Sequence, residues 1–269
     1  MARREFLRNF VAMKHRSILT ALLLVALTSA MAQSERSTVA DTAQVDNVAP
    51  VKKAWPSFLG KHNLPDGSKY LPAPPAFGSE QFVGDMVWYH WGKSLRDTPR
   101  GEQAKHDAEM NVESMMRLFS APFGMELSEE KTPEMYDFLA RVMTDATAST
   151  SKAKKHFKRL RPFLYFNEGT LVPEEEASHH TPSYPSSHSA AGWGVALVLS
   201  ELNTDSAEVI LKTGYEYGQS RVIAGYHYQS DVDAARMAAS ACIVRLHADE
   251  NFMKQLKKVR KELDKLRKQ

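Results

Sequence analysis

SHSAAGWGVALVLSEL, residues 187–202, decides the fold class of this chain. The stretch is apolar, free of proline and too long for an ordinary strand, so it reads as a long helix from Ser187 to Leu202. Tyr184-Pro185-Ser186-Ser187-His188 runs directly into it, so the helix opens on serines. Outward from this helix the periodicity stays helical. Towards the N-terminus, residues 163–184 lack periodicity and read as loop. Residues 151–161 form a basic helix ending before Pro162. Thr132-Pro133-Glu134 supplies an N-cap, a proline at the first helical position and an acidic first turn for a helix carrying Met135, Phe138, Leu139, Val142 and Met143. Ala104, Ala108, Val112, Met115, Met116 and Phe119 share one further helix, and Phe82, Met86, Trp88 and Tyr89 mark the apolar face of a first helix opening at Ser79. Towards the C-terminus, a helix spans about 206–220. Another opens at Ser230, with Asp233 completing a capping box, and runs to about Leu246. The last stretch, KQLKKVRKELDKLRKQ, reads as a solvated basic helix in preference to a polyanion-binding tail. Strand signals are nearly absent and no internal repeat is present. The pattern predicts an all-α helical bundle, one domain over 56–269.

The chain has 269 residues and a formal net charge of +3. Its start predicts removal of a leader. Arg3, Arg4, Arg8, Lys14 and Arg16 precede an apolar run from Ile18 to Leu27, and Ala30-Met31-Ala32 follows with small residues where a signal peptidase reads. Residues 1–32 are therefore expected to be a signal peptide and the protein to be exported. Arg3-Arg4-Glu5-Phe6-Leu7-Arg8 also resembles a twin-arginine export signal, with translation from Met13 as the alternative. The leader holds five Lys/Arg and one Glu, so its loss takes the charge from +3 to −1. That leaves no excess of positive charge to suggest nucleic-acid binding. Residues 33–55 are rich in Ser, Thr, Asp and Ala and read as a flexible N-terminal segment. Residues 56–78 are proline-rich and extended. No segment after the leader is apolar and long enough to span a membrane. Cys242 is the single cysteine, so an internal disulfide is excluded.

Three blocks carry chemistry. Lys154 and Arg161, seven apart on the predicted basic helix, would share one face. Alone they read as part of a solvated surface, because Lys152, Lys155, Lys158 and Arg159 surround them. Ser186, Ser187 and His188 stand at a helix N-terminus, where backbone N–H groups and the helix dipole favour an oxyanion. Ser220-Arg221 is followed by His227 and, four residues on, Asp231. That carboxylate can accept the Nδ1–H bond of the imidazole and leave Nε2 nucleophilic. Asp233 is the rival carboxylate, and its capping role accounts for it better. Each block is ordinary by itself. Together, three fixed cations, two histidines and a carboxylate are what phosphoryl transfer without a metal requires.

Lys154-x6-Arg161-Pro162, Pro185-Ser186-x-His188 and Ser220-Arg221-x5-His227-x3-Asp231 resemble the three-part signature of the type 2 phosphatidic acid phosphatase and vanadium haloperoxidase superfamily. The strings LRDTPRGEQAKHDAE, LRPFLYFNEGTLVPEEE, SYPSSHSAAGWGVALVLSE and GYEYGQSRVIAGYHYQSDVDAARMAAS are similar to bacterial class A non-specific acid phosphatases over most of residues 70–260. The resemblance implies an exported, all-helical acid phosphatase that hydrolyses small phosphate monoesters with no metal and no cofactor. It assigns nucleophilic attack to His227, its orientation to Asp231 and proton transfer to His188. It assigns the phosphoryl oxygens to Lys154, Arg161, Ser186, Ser187 and Arg221. A homo-oligomer is also expected, from apolar residues in the first helices and from the habits of relatives.

The sequence departs from the family in three places. Ser187 stands where relatives have glycine, which matters only if the backbone there needs φ > 0. Relatives often carry cysteines near Leu171 and Ala224, so the resemblance implies a lost disulfide. Tyr228 replaces a usual Trp, which would alter the pocket edge. Three other functions compete. A vanadate-dependent haloperoxidase would use the same site, and a periplasmic anion-binding protein would need no nucleophile. A lipid phosphatase within the bilayer would need spans that this chain lacks.

Overall fold

Residues 56–179 and 181–268 are described by the computed structural model. They form helices joined by loops, with no strand among them, and fall in one compact unit. The expected signal peptide and the 33–55 segment lie outside these residues. The helices are α1 (Gly60–Asn63), α2 (Glu80–Ser94), α3 (Pro99–His106), α4 (Val112–Phe123), α5 (Pro133–Ala148), α6 (Ser151–Phe157), α7 (Pro162–Phe166), α8 (Ser187–Leu202), α9 (Ala207–Ile223), α10 (Gln229–Leu246) and α11 (Glu250–Leu266). Short 3-10 turns cover Pro173–Ser178 and Thr204–Ser206. Among the described residues no helix is long and apolar enough to cross a membrane.

The all-round apolar character of α8 places it in the middle. It packs against α5, α9 and α10, and a helix without a polar face is stable only when surrounded. Its glycines set the spacing. A Cβ on Gly192 would stand 2.2 Å from Cδ1 of Tyr217 on α9, and the absence of one lets that ring lie against the backbone. The terminal helix α11 buries Phe252, Leu256, Val259 and Leu263 on one stripe against α5. Its basic side faces outward, as the charge pattern predicts.

Several expected elements differ. The single helix drawn through Ala104 and Phe119 is two helices, because the Asn111 side chain accepts from Ser114 N at 2.7 Å and caps a fresh start. Thr132 does not cap α5 through its side chain. Glu262 of α11 does so, accepting from Glu134 N at 3.0 Å and Met135 N at 3.1 Å. On α2 the buried face holds Phe82, Asp85, Tyr89 and Gly92, while Trp88 lies exposed with Val83, Val87 and Trp91. The expected loop over 163–184 contains α7 and a 3-10 turn. The basic helix ends early, at Phe157. Lys158 takes a left-handed conformation with φ 49° and closes α6. Arg159 to Arg161 lie outside any helix, and Arg161 is extended, since a residue before proline is driven to the β region. Arg161 and Lys154 therefore do not share a helical face. Burial alternates along this short segment, with Arg159 and Arg161 both buried and Leu160 outside.

Candidate active site

The site forms where α6, the N-terminus of α8 and the junction of α9 with α10 meet. Helix α9 ends at Ile223, and Gly225 (φ 86°) turns the chain back on itself. Arg221 O then accepts from Tyr226 N at 3.1 Å and His227 N at 3.3 Å, which folds His227 beside Arg221. Arg96 holds the turn from outside, donating to Ile223 O at 2.9 Å and Gly169 O at 2.9 Å. Helix α10 begins next, and Asp231 in its first turn is completely buried. Its Oδ2 accepts from Tyr228 N at 2.9 Å, from the Ser183 hydroxyl, and faces His227 Nδ1 at 3.3 Å. Asp231, not Asp233, therefore serves both the helix start and the histidine. Asp233 accepts from Gln229 Nε2 at 2.9 Å and Arg236 Nη1 at 2.7 Å.

Arg161 fixes the tautomer of His227. Its Nη1 lies 3.1 Å from His227 Nε2, and a guanidinium can only donate. Nε2 must present its lone pair there, so the ring proton sits on Nδ1, towards Asp231. Arg161 also donates to Thr181 O at 2.9 Å and Tyr226 O at 3.1 Å. Lys154 Nζ donates to Pro182 O at 2.5 Å. The Arg221 guanidinium lies 4.4 Å from the centre of the Tyr226 ring, and its Nε and Nη1 are buried with no acceptor among the described residues.

Lys154, Arg161 and Arg221 are buried close together, and the carboxylates that act on them include Asp231, on Lys154 and Arg161, and Glu175, on Arg221. Burial, then the neighbouring Arg161, pushes Lys154 well below the ordinary lysine range. Burial and Arg221 bring Arg161 down to about 10. Burial, then Arg161, Lys154 and Arg221, hold His227 well below its usual value and so favour the neutral imidazole. Like charges held this close repel one another, and an oxyanion bound among them would oppose each of these shifts.

His188, at the mouth of α8, is buried and stacked on Tyr217 with centroids 4.6 Å apart. Its Nε2 donates to Asp107 O at 2.7 Å, which leaves Nδ1 as the nitrogen able to exchange a proton with a ligand. Burial and Arg221 lower its pKa strongly, against the Asp107 carbonyl. Ser186 caps α8, its Oγ accepting from Ser189 N at 3.2 Å and Ser189 Oγ at 2.9 Å. The Ser186 hydroxyl proton remains available to an anion. Ser187 lies 2.7 Å, Oγ to Oγ1, from Thr150. Its backbone is helical and does not have positive φ, so serine in place of glycine carries no left-handed strain. The N–H groups of Ser187 and His188 have no acceptor within the helix. A surface cleft of about 460 Å³ between Phe123–Met125, Glu201–Ser206 and Arg267 holds none of these groups.

The chain is similar to known proteins over the region that holds this set. A family model described as the PAP2 superfamily matches residues 138–252, which contain every one of these predicted site residues. A non-specific acid phosphatase of Providencia stuartii is 44% identical over 213 residues, 78% of this chain and 86% of that protein. Another, from Salmonella typhimurium, is 41% identical over 197 residues, 72% of this chain and 79% of its own. The chain belongs to the non-specific acid phosphatases of the PAP2 superfamily. A solved bacterial vanadium-dependent iodoperoxidase shares 15% identity over 77% of this chain and 63% of its own, with a TM-score of 0.48, too slight a likeness to argue from.

Around this acid phosphatase site stand residues that the sequence reading passed over. Ser183 donates to Asp231 and lies 3.3 Å from His227 Nδ1. Asp107 steadies His188 through its backbone, and nothing in its sequence context signals that. Arg159, read as surface, bonds Asp231 directly at 2.7 Å. The signal for Arg159 was present: Pro162 makes Arg161 extended, and an extended chain turns 159 and 161 to the same side. Tyr228, expected at the pocket edge, is fully buried. It packs under the Arg159 guanidinium, 4.0 Å from its ring centre, and against Phe77 and Phe82. Leu171 N donates to Ala224 O at 2.9 Å, so the two positions where relatives often carry cysteine are neighbours here, filled by an apolar contact.

Proposed function

We propose that this acid phosphatase hydrolyses organic phosphomonoesters through a phosphohistidine at His227, with no metal ion in the chemical steps. The observation that supports this most is the held imidazole, its Nδ1–H turned to Asp231 and its Nε2 lone pair turned into the group formed by Lys154, Arg161 and Arg221. A phosphoryl group in that cradle takes Arg161 from the imidazole, because a charged oxygen is the stronger acceptor. Nε2 then attacks phosphorus in line with the leaving oxygen. The P–O bond breaks as the P–N bond forms, and His188 gives its Nδ1 proton to the departing alkoxide. In the second half, His188 takes a proton from water, the water oxygen attacks phosphorus and the P–N bond breaks. Another alcohol in place of water would give phosphotransfer. Lys154, Arg161, Arg221, the Ser186 hydroxyl and the Ser187 N–H hold the oxygens throughout.

The proposal extends to where and how the protein works. The leader pattern in residues 1–32 supports export to the periplasm. The exposed Val83, Val87, Trp88 and Trp91 on α2 support self-association into a homo-oligomer, which sedimentation would test. The mechanism is tested by brief turnover of phosphate-labelled p-nitrophenyl phosphate in EDTA, followed by quenching in alkali. Label that is stable in base, labile in acid and mapped to His227 is expected. His227→Ala should abolish turnover and labelling. Wild-type rates in that variant would refute the mechanism.

A further inference from the structure

Behind Asp231 lies a buried ionic chain that the mechanism leaves unused. Arg159 Nη1 donates to Asp231 Oδ1 at 2.7 Å and to Ser230 Oγ at 2.7 Å, while Nη2 donates to Asp85 Oδ2 at 2.6 Å. The three charged side chains are almost sealed from solvent: Arg159 is 2% exposed, Asp85 3% and Asp231 0%. Asp85, on α2, also accepts from Ser230 N at 2.9 Å and Ser230 Oγ at 2.6 Å. The chain therefore runs from α2, through the segment before α7, to the first turn of α10. A buried ion pair of this kind is no strong source of stability, because desolvation opposes the attraction. Its position suggests another role. Arg159 holds one oxygen of the carboxylate whose other oxygen faces His227 Nδ1. Both of its terminal nitrogens donate on the Asp85 and Asp231 side.

We propose that Asp85 and Arg159 are positioning residues for the nucleophile, which hold Asp231 as an ionised acceptor aimed at His227 and, through their opposed charges, set how strongly the imidazole draws a proton. The inference rests on the reading of His227 as the nucleophile. Arg159 partly neutralises Asp231, and Asp85 partly neutralises Arg159. The remaining groups facing His227 are Lys154 from α6, Arg161 from the segment before α7, His179 from the 3-10 turn, His188 from α8 and Arg221 from α9. None of them is altered by changing the pair.

Opposite shifts follow from the signs. Asp85→Asn leaves the positive charge of Arg159 less opposed, so His227 protonates less readily. Arg159→Gln leaves two carboxylates unopposed, so His227 protonates more readily. The test is kcat/KM for p-nitrophenyl phosphate against pH for both variants, with the inhibition constant of inorganic phosphate measured alongside. The acid limb, where activity disappears as His227 gains a proton, should move to lower pH in Asp85→Asn and to higher pH in Arg159→Gln, by about half a pH unit or more each. Arg159→Gln should also lose roughly tenfold or more in kcat/KM through misalignment. The phosphate inhibition constant should stay within about twofold, because the cradle is intact. Acid limbs that coincide with the wild type, or phosphate affinity lost in step with kcat/KM, would overturn the role. Should Arg159→Gln fail to fold, the near-isosteric Asp85→Asn decides the question alone. Activity surviving in His227→Ala would instead sink the reading of the site. An inactive His227→Ala beside unshifted pair variants would remove only this inference.

Discussion

His188 poses the sharpest question at the scale of single residues. A general acid must carry a proton, yet burial and Arg221 lower the pKa of this imidazole well below its ordinary value. Its Nε2–H is committed to Asp107 O, so the transferable proton has to arrive on Nδ1. A phosphomonoester can bring it, because its second ionisation lies near pH 6 and the monoanion still holds a proton. The productive encounter then pairs neutral His188 with the ester monoanion, and kcat/KM should fall above about pH 6 as the dianion takes over. Two esters whose second pKa values differ by about one unit should show basic limbs displaced by about the same amount. A basic limb at one pH for both would place the proton on the enzyme beforehand. Truncation sharpens the same point. His188→Ala should reduce kcat roughly 10²- to 10⁴-fold for an alkyl phosphate. It should reduce it less for p-nitrophenyl phosphate, whose leaving group needs no proton, and phosphoenzyme should then accumulate in a quench.

Among the elements, α8 ties the core to the chemistry. Its Gly192 receives the ring of Tyr217 on α9, and that ring stacks on His188 one turn earlier in α8. Gly192→Ala would place a methyl 2.2 Å from the ring. Overpacking of this kind costs about 1–3 kcal/mol, less what alanine returns in helix propensity. Displacement of Tyr217 should carry His188 with it. We expect an unfolding free energy lowered by that amount, and a loss in kcat larger than the rise in KM. A variant with full kcat would uncouple the stack from catalysis. The same helix explains what was legible beforehand. Its limits, Ser187 and Leu202, could be read directly, because an apolar run bounded by serines and a loop offers no competing register. Segment 151–161 could not, because Lys-rich stretches are compatible with a solvated helix. There the helix closes at a left-handed Lys158, and Pro162 holds Arg161 extended against helical propensity. The eight residues chosen from the sequence for the site nevertheless come together, since the three-block spacing survives a change in how the first block is displayed. Asp85, Asp107 and Ser183 stayed hidden because their roles depend on contacts across the bundle, which no local pattern encodes.

At the scale of the whole molecule, the bundle gathers its depressed histidines at one end, and stability must follow pH accordingly. Burial brings His179 down to about 4 and holds His188 and His227 well below 6.5. In the unfolded chain all three take up protons near pH 6.5. The folded protein binds fewer protons than the unfolded one in this range, so stability rises with pH. The contribution is complete above pH 6.5 and is lost as pH falls through the folded values, at up to about 1.4 kcal/mol per pH unit for each histidine. Burial raises Asp107 and Asp145, which act in the opposite sense closer to the carboxylate range. The ligand-free protein should therefore show a falling Tm between pH 7 and pH 5, across the range in which the enzyme is expected to work. Inorganic phosphate should reverse this by supplying an anion to Lys154, Arg161 and Arg221. At a hundred times its inhibition constant it should restore about 2.7 kcal/mol. Thermal unfolding scans at pH 7, 6 and 5, with and without phosphate, check both parts. A Tm that holds steady or climbs from pH 7 to 5 without phosphate would mean that these histidines already carry protons in the folded state, and the neutral nucleophile would have to be reconsidered with them.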